Sequence, residues 1–87
     1  MSKWPVSKRV EVEWIDTATY GRWNPVEHHV ENSTPILCRS IGYLLKADKH
    51  VVIIAQSQSE GSEHVADTIA IPRDNVKRMV AVTSKLK

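Results

Sequence analysis

The sequence predicts an all-β domain: a five-stranded small barrel or strongly bent antiparallel sheet, with a 3₁₀ turn before the last strand. Three observations carry that reading. Residues 38–59, CRSIGYLLKADKHVVIIAQSQS, set two apolar runs rich in Ile, Val and Leu around a short polar turn. Residues 9–17 alternate apolar and acidic side chains, the period of a half-buried strand. Pro72-Arg73-Asp74-Asn75 separates two further apolar runs with residues that suit a single 3₁₀ turn.

The elements follow in chain order. Residues 1–8 read as a frayed tail, despite Trp4-Pro5, and residues 84–87 as its counterpart; the whole of 1–87 is one domain. In the first strand Val10, Val12 and Trp14 share one face, while Glu11 and Glu13 share the other and guard it against stray pairing. Residues 18–35 hold no sustained period. Turn formers there flank Tyr20, Arg22 and Trp23, and a connection of this length is uncommon in a compact domain and often functional. Residues 26–31 have room for one helical turn.

In the hairpin, a two-residue loop at Asp48-Lys49 sets Leu45 opposite Val52, Leu44 opposite Ile53, Tyr43 opposite Ile54 and Gly42 opposite Ala55. One face then carries Ile41, Tyr43, Leu45, Val52 and Ile54. The other carries Ser40, Gly42, Leu44, Ile53, Ala55 and Ser57. Gly42 inside a strand marks a bend or a close approach. Apolar residues on both faces predict a homo-oligomer that hides one of them. The fourth strand, residues 65–71, puts Asp67, Ile69 and Ile71 on one side; the fifth, residues 77–83, turns Val80 and Val82 inward.

Composition bounds the function. A single cysteine, Cys38, allows no intramolecular disulfide and fits a reducing cytoplasm. No apolar run approaches the length of a bilayer span, and the first residues lack a signal-peptide core, so no membrane role is expected. Twelve Lys and Arg outnumber ten Asp and Glu, but Lys3, Lys8, Arg9, Lys85 and Lys87 lie at the two ends. Seven basic residues then face ten acidic ones in the body. A nucleic-acid binder carries its positive charge as a patch on the folded body, so DNA or RNA binding is expected only as a weak effect of the tails.

Chemistry-bearing clusters are few. Glu27-His28-His29-Val30-Glu31 has metal-ligand types, but nothing in the spacing brings Cys38, His50 or His64 to complete a set, and no metal or other cofactor is expected. No nucleophile elbow, phosphate loop or paired-carboxylate pattern occurs, so no enzyme activity is expected. Cys38 lies in an apolar strand and reads as a structural thiol.

Ile69-Ala70-Ile71-Pro72-Arg73-Asp74-Asn75-Val76, with the five-strand order and long first loop, resembles the strand, 3₁₀ turn and closing strand of Src-homology-3-like and Sm-like small β-barrels. In the former the first loop helps line a peptide groove, which implies a binding role for residues 18–35. Glu13-Trp14-Ile15-Asp16, residues 38–44 and residues 67–72 are similar to stretches of small bacteriophage and prophage proteins. That likeness implies a phage origin, and so the host cytoplasm, and carries no activity across; non-enzymatic binding, in counter-defence for example, is a job that fits a small protein of that kind.

The expected ligand-binding set joins the loop residues Tyr20, Arg22 and Trp23 to the polar strand ends Gln56, Ser57, Ser59, Asp67 and Thr68. Aromatic planes stack on bases or peptide rings, Arg22 pairs a phosphate or carboxylate, and amides and hydroxyls read polar edges. Such a set sequesters a small polar ligand, a nucleotide signal for example. The competing expectation is an adaptor or inhibitor docking on a host or phage protein through the loop and an open sheet edge. Trp23 itself fits either a binding anchor or a cap on one end of the barrel.

Overall fold

The computed structural model describes residues 3–17 and 21–83. Five antiparallel strands form one sheet: β1 (Arg9–Asp16), β2 (Ile36–Ala47), β3 (Val51–Gln58), β4 (Val65–Pro72) and β5 (Val76–Ala81). A 3₁₀ turn, Arg73–Asn75, joins β4 to β5, and one short helix, α1 (Val26–Asn32), stands between β1 and β2. The spatial order is β4-β3-β2-β1-β5, and β4 and β5 do not pair, so the sheet is open.

What bends the sheet is a change of partner along β2. Residues from Ile36 to Tyr43 pair with β1, whereas β3 takes over only from Tyr43 to Ala47. Two wings therefore share β2. The corner between them is closed by Val10 and Val12 of β1, Val52 and Ile54 of β3 and Ile71 of β4, all 0–3% exposed. Strands three positions apart in a flat sheet, as β1 and β4 are, lie about 14 Å from each other, so packing β1 residues into one cluster with Ile71 requires this curvature. Gly42 sits where the wings meet: a Cβ there would come within 2.7 Å of the Ala55 carbonyl oxygen. The glycine expected to mark a bend or close approach does both.

The hairpin turn lies where the sequence places it, with a different loop. Asp48–His50 form three loop residues, and Asp48 Oδ1 accepts hydrogen bonds from the N–H groups of His50 and Val51 at 2.8 and 2.9 Å. Val52 consequently faces Ala47, and Ile53 faces Lys46. A bulge at Leu45 then brings Leu44 opposite Ile54 and Tyr43 opposite Ala55. Both pairings differ from the two-residue loop, and the second exchanges the faces: Leu44, not Tyr43 or Leu45, joins Val52 and Ile54 on the core.

A second bulge corrects β5. Glu13 faces Arg78 but Trp14 faces Val76, leaving Lys77 as the extra residue. Val76 and Met79 are thereby the residues packed on the core, while Val80 lies opposite Glu11 on the outer face. Pro72-Arg73-Asp74-Asn75 behaves as its composition requires: Asn75 Nδ2 donates to the Ile15 carbonyl at 2.9 Å and ties the turn to β1.

The N-terminal segment is held for the part described. Val6 N–H donates to Gln58 Oε1, Gln58 Nε2 donates to the Val6 carbonyl, Gly61 N–H donates to Lys3 O, and Leu44 N–H donates to Lys8 O. Residues 3–8 thus differ from the frayed tail that composition predicts. Their stabilising partners come from β2, β3 and the loop after it, and no local pattern announces them.

Candidate functional site

Beyond Tyr43 and Ala55 the two wings part, and a cleft of about 370 Å³ opens between them. Arg39, Ser40 and Ile41 of β2 form one wall; Ile54, Gln56, Asp67 and Ile69 form the other. Asp67 holds a left-handed backbone, φ 59°, the one non-glycine residue to do so among those described. Asp tolerates that region better than most residues, and such strain concentrates at binding sites. Ser40 Oγ is engaged by the Trp14 indole N–H at 3.0 Å, which fixes one wall.

Of the expected ligand set, Gln56 and Asp67 meet here. Ser57 and Ser59 line a separate groove of about 120 Å³ with Gln58, His64, Val65 and Ala66. Thr68 lies opposite Ala55 on the outer face. Neighbouring strand residues point to opposite faces, so Gln56 with Ser57, and Asp67 with Thr68, divide between two surfaces. Arg22 and Trp23 are exposed and line no part of the cleft. Tyr20 lies outside the described residues.

A different surface is the more conspicuous. The segment carrying Arg22, Trp23 and α1 stands off the sheet: α1 has no buried residue and no substantial packing against any strand. The molecule is 59 × 28 × 22 Å with a radius of gyration of 17.0 Å, against about 12 Å for a compact chain of this length. On this arm Trp23 is fully exposed, and Val26 and Val30 are 77% and 74% exposed. Val26 and Val30 are one turn apart on a helix and so share a face. Where the arm rejoins the sheet, Ile36, Leu37 and Ile41 are each more than half exposed. Sequence reasoning singled out Trp23 but passed over Val26, Val30 and the start of β2. The signal available was the four-residue spacing of the valines.

Electrostatics divide the surface further. On the outer face Glu13 lies between Arg39 and Arg78 in the ladder, and Arg39 Nε meets Glu13 Oε2 at 3.0 Å. At the hairpin tip, the backbone N–H groups of His50 and then Val51 hold the Asp48 carboxyl below its ordinary pKa, with the Lys46 ammonium, 3.5 Å away, adding to the effect. His28 and His29 meet edge to face on α1. Among the described residues no three His, Cys, Asp or Glu side chains gather as a metal site. Cys38 is half-buried opposite Trp14. No helix among them is long and apolar enough to cross a membrane. Comparison with protein-family models, curated proteins and solved structures finds no match to the chain, so geometry alone carries the functional argument.

Proposed function

We propose that this protein is a non-enzymatic docking module that engages a protein partner through its arm. The observation that carries the reading is the exposure of Trp23, Val26 and Val30 on a segment whose helix has no substantial packing against any strand among the described residues. A Trp left in water forgoes on the order of 150–250 Å² of burial, and Trp is the residue type most enriched in binding anchors. Val26 and Val30 one turn apart match the anchor spacing of a helix laid into an apolar groove. Glu27 and Glu31 share α1, so a groove rimmed with basic groups complements it. An adaptor or inhibitor acting on a host or phage protein in a reducing cytoplasm fits this reading.

Sequestration of a small polar ligand ranks second. It is favoured by the left-handed Asp67 beside Gln56 in the cleft, but only two of the five polar strand-end residues assemble there.

The discriminating experiment is native mass spectrometry of the protein purified from its own host, alongside the Trp23→Ala/Val26→Ala/Val30→Ala variant. A polypeptide that accompanies the wild type and is lost from the variant supports docking. A small molecule retained equally by both overturns it in favour of the cleft.

A further inference from the structure

The cleft between the wings is also a vacant lane in the sheet, and hydrogen-bond phase shows what β2 offers to it. Leu44 N–H donates to the Lys8 carbonyl, so the pair Lys8/Leu44 exchanges bonds across the β1–β2 ladder. In an antiparallel ladder such pairs alternate. The even-numbered residues of β2 therefore turn their N–H and C=O groups toward β1, and the odd-numbered ones turn theirs away. Tyr43 meets β3 on that far side, where it faces Ala55. Leu37, Arg39 and Ile41 follow the same phase, but β3 has already left, and no strand lies beside them among the described residues. Three outward N–H and three outward C=O groups border the lane.

We propose that a second copy of this chain fills it, pairing its own β2 antiparallel to this one about a twofold axis at Arg39. The edge of β2 is self-complementary. With Arg39 facing the partner's Arg39, Leu37 faces the partner's Ile41, and Ile41 faces the partner's Leu37. Every outward N–H then meets a partner carbonyl, and every outward carbonyl meets an N–H. Neighbouring registers do worse. Centring on Cys38 puts Ile41 opposite the partner's Pro35, which has no N–H. Centring on Ser40 puts Leu37 opposite the partner's Tyr43, whose edge β3 already occupies.

Side chains agree with the backbone. Leu37 and Ile41, 58% and 62% exposed, stand on the same face two residues either side of Arg39, so the pairing covers apolar surface with apolar surface. The facing guanidinium groups are each neutralised by a Glu13 of their own chain. The exposed parts of Ile36, Leu37, Arg39 and Ile41 set an upper bound on the order of 1,000 Å² for the pair, at the lower limit of a stable interface. The stretch unpaired on this side, residues 36–42, carries no Lys to guard its edge; its one charge, Arg39, is paired with Glu13, and Pro35 falls just before it. This inference stands on the β2 edge and is independent of the arm; a dimer so built still presents two arms.

Three measurements test it. Sedimentation of the full chain is expected to show a dimer at micromolar concentration, and Leu37→Lys/Ile41→Lys to raise its dissociation constant about tenfold or more. Because both side chains are exposed in the monomer, the variant's circular dichroism should match the wild type. In the Cys38→Ser background, Arg39→Cys is expected to give a disulfide-linked dimer under mild oxidation, since facing Cα atoms in such a pair lie about 5.5 Å apart, within disulfide range. Amide exchange is expected to slow at Leu37, Arg39 and Ile41 on raising the protein concentration, whether or not a variant folds poorly. A protein monomeric at all concentrations, a Leu37→Lys/Ile41→Lys dimer as tight as wild type, or exchange at these amides that ignores concentration overturns the proposal. A disulfide through Cys38 in the wild type with none through the introduced cysteine overturns the register.

Discussion

Val12 is wholly removed from water; Trp23, in the connection that follows the same strand, stands entirely in it. The two lie at the ends of one contrast. The corner between the wings is made of small β-branched residues that meet across three strands, with Gly42 admitting the close approach. The arm carries Trp23 and two more valines, Val26 and Val30, and buries none of them. Apolar content is similar in kind, so content does not decide what becomes core. Partners do: Val12 sits between Ser40 and Met79 in the ladder, and α1 has no ladder to sit in. The difference separates residues that stabilise the fold from residues left over for something outside it.

The sharpest way to break that contrast is at its packed end. Ile71→Ala removes a fully buried side chain from the cluster shared by β1, β3 and β4, and is expected to cost about 2–5 kcal/mol in denaturant unfolding. Val30→Ala, measured beside it, is expected to stay within about 0.5 kcal/mol of wild type. Comparable losses would mean that the arm packs in solution.

Next in size is Gly42→Ala. The added Cβ would meet the Ala55 carbonyl at 2.7 Å and Ile54 Cβ at 3.2 Å, and backbone cannot swing aside as a flexible side-chain tip can. A loss of about 1–3 kcal/mol is expected, as for other overpacked sites. A neutral result would show the wings hinge freely at β2.

A smaller effect sharpens the account of the hairpin tip, where charge rather than burial fixes the turn. The carboxyl of Asp48 is held below its ordinary value of 3.8 by the His50 and Val51 amides, and only the ionised form is favoured there. A lowered folded pKa contributes stability that is present above the ordinary value and lost as pH falls from it toward the folded one. Asp48→Asn is therefore expected to melt below wild type at neutral pH, with the gap closing as pH drops through 3.8 and beneath. A gap that stays constant with pH would assign the effect to shape alone.

How much of this the sequence disclosed follows the same division. Strands were legible because Val10, Val12 and Trp14, or Val51 through Ile54, carry their period and β-branching within a few residues. The Pro72–Asn75 turn was legible because its chemistry is local. Register was not, since the bulges at Leu45 and Lys77 fall on ordinary residues and arise from the long-range fit of β2 to β3 and of β5 to β1. Each bulge reversed the faces beyond it, which is why Leu44 and Met79 replaced Leu45 and Val80 inside. The site was half legible. Gln56 and Asp67 do share a cleft, but the strand period itself forbids Ser57 and Thr68 from joining them. Helix α1 escaped a firm reading because in seven residues the spacing of Val26 and Val30 is a single repeat, too short to establish a helical period.

The smallest expected effect tests the exposed end of the contrast. Trp23→Ala removes the largest exposed side chain of the molecule, and its stability should stay within about 0.5 kcal/mol of wild type, because no core contact is lost. Fluorescence separates the three tryptophans on physical grounds. Trp14 packs on the core with its indole N–H bonded to Ser40, so its emission should resist an aqueous quencher. Trp4 is about half exposed, at 46%, and Trp23 wholly so, and the quenchable, red-shifted part of the spectrum should come chiefly from Trp23. The substitution is expected to remove most of that component while leaving the melting transition in place. A variant that unfolds, or one that loses the shielded component instead, would make Trp23 part of the core. The arm would then belong to the fold, and an anchor for a partner would have to be sought elsewhere.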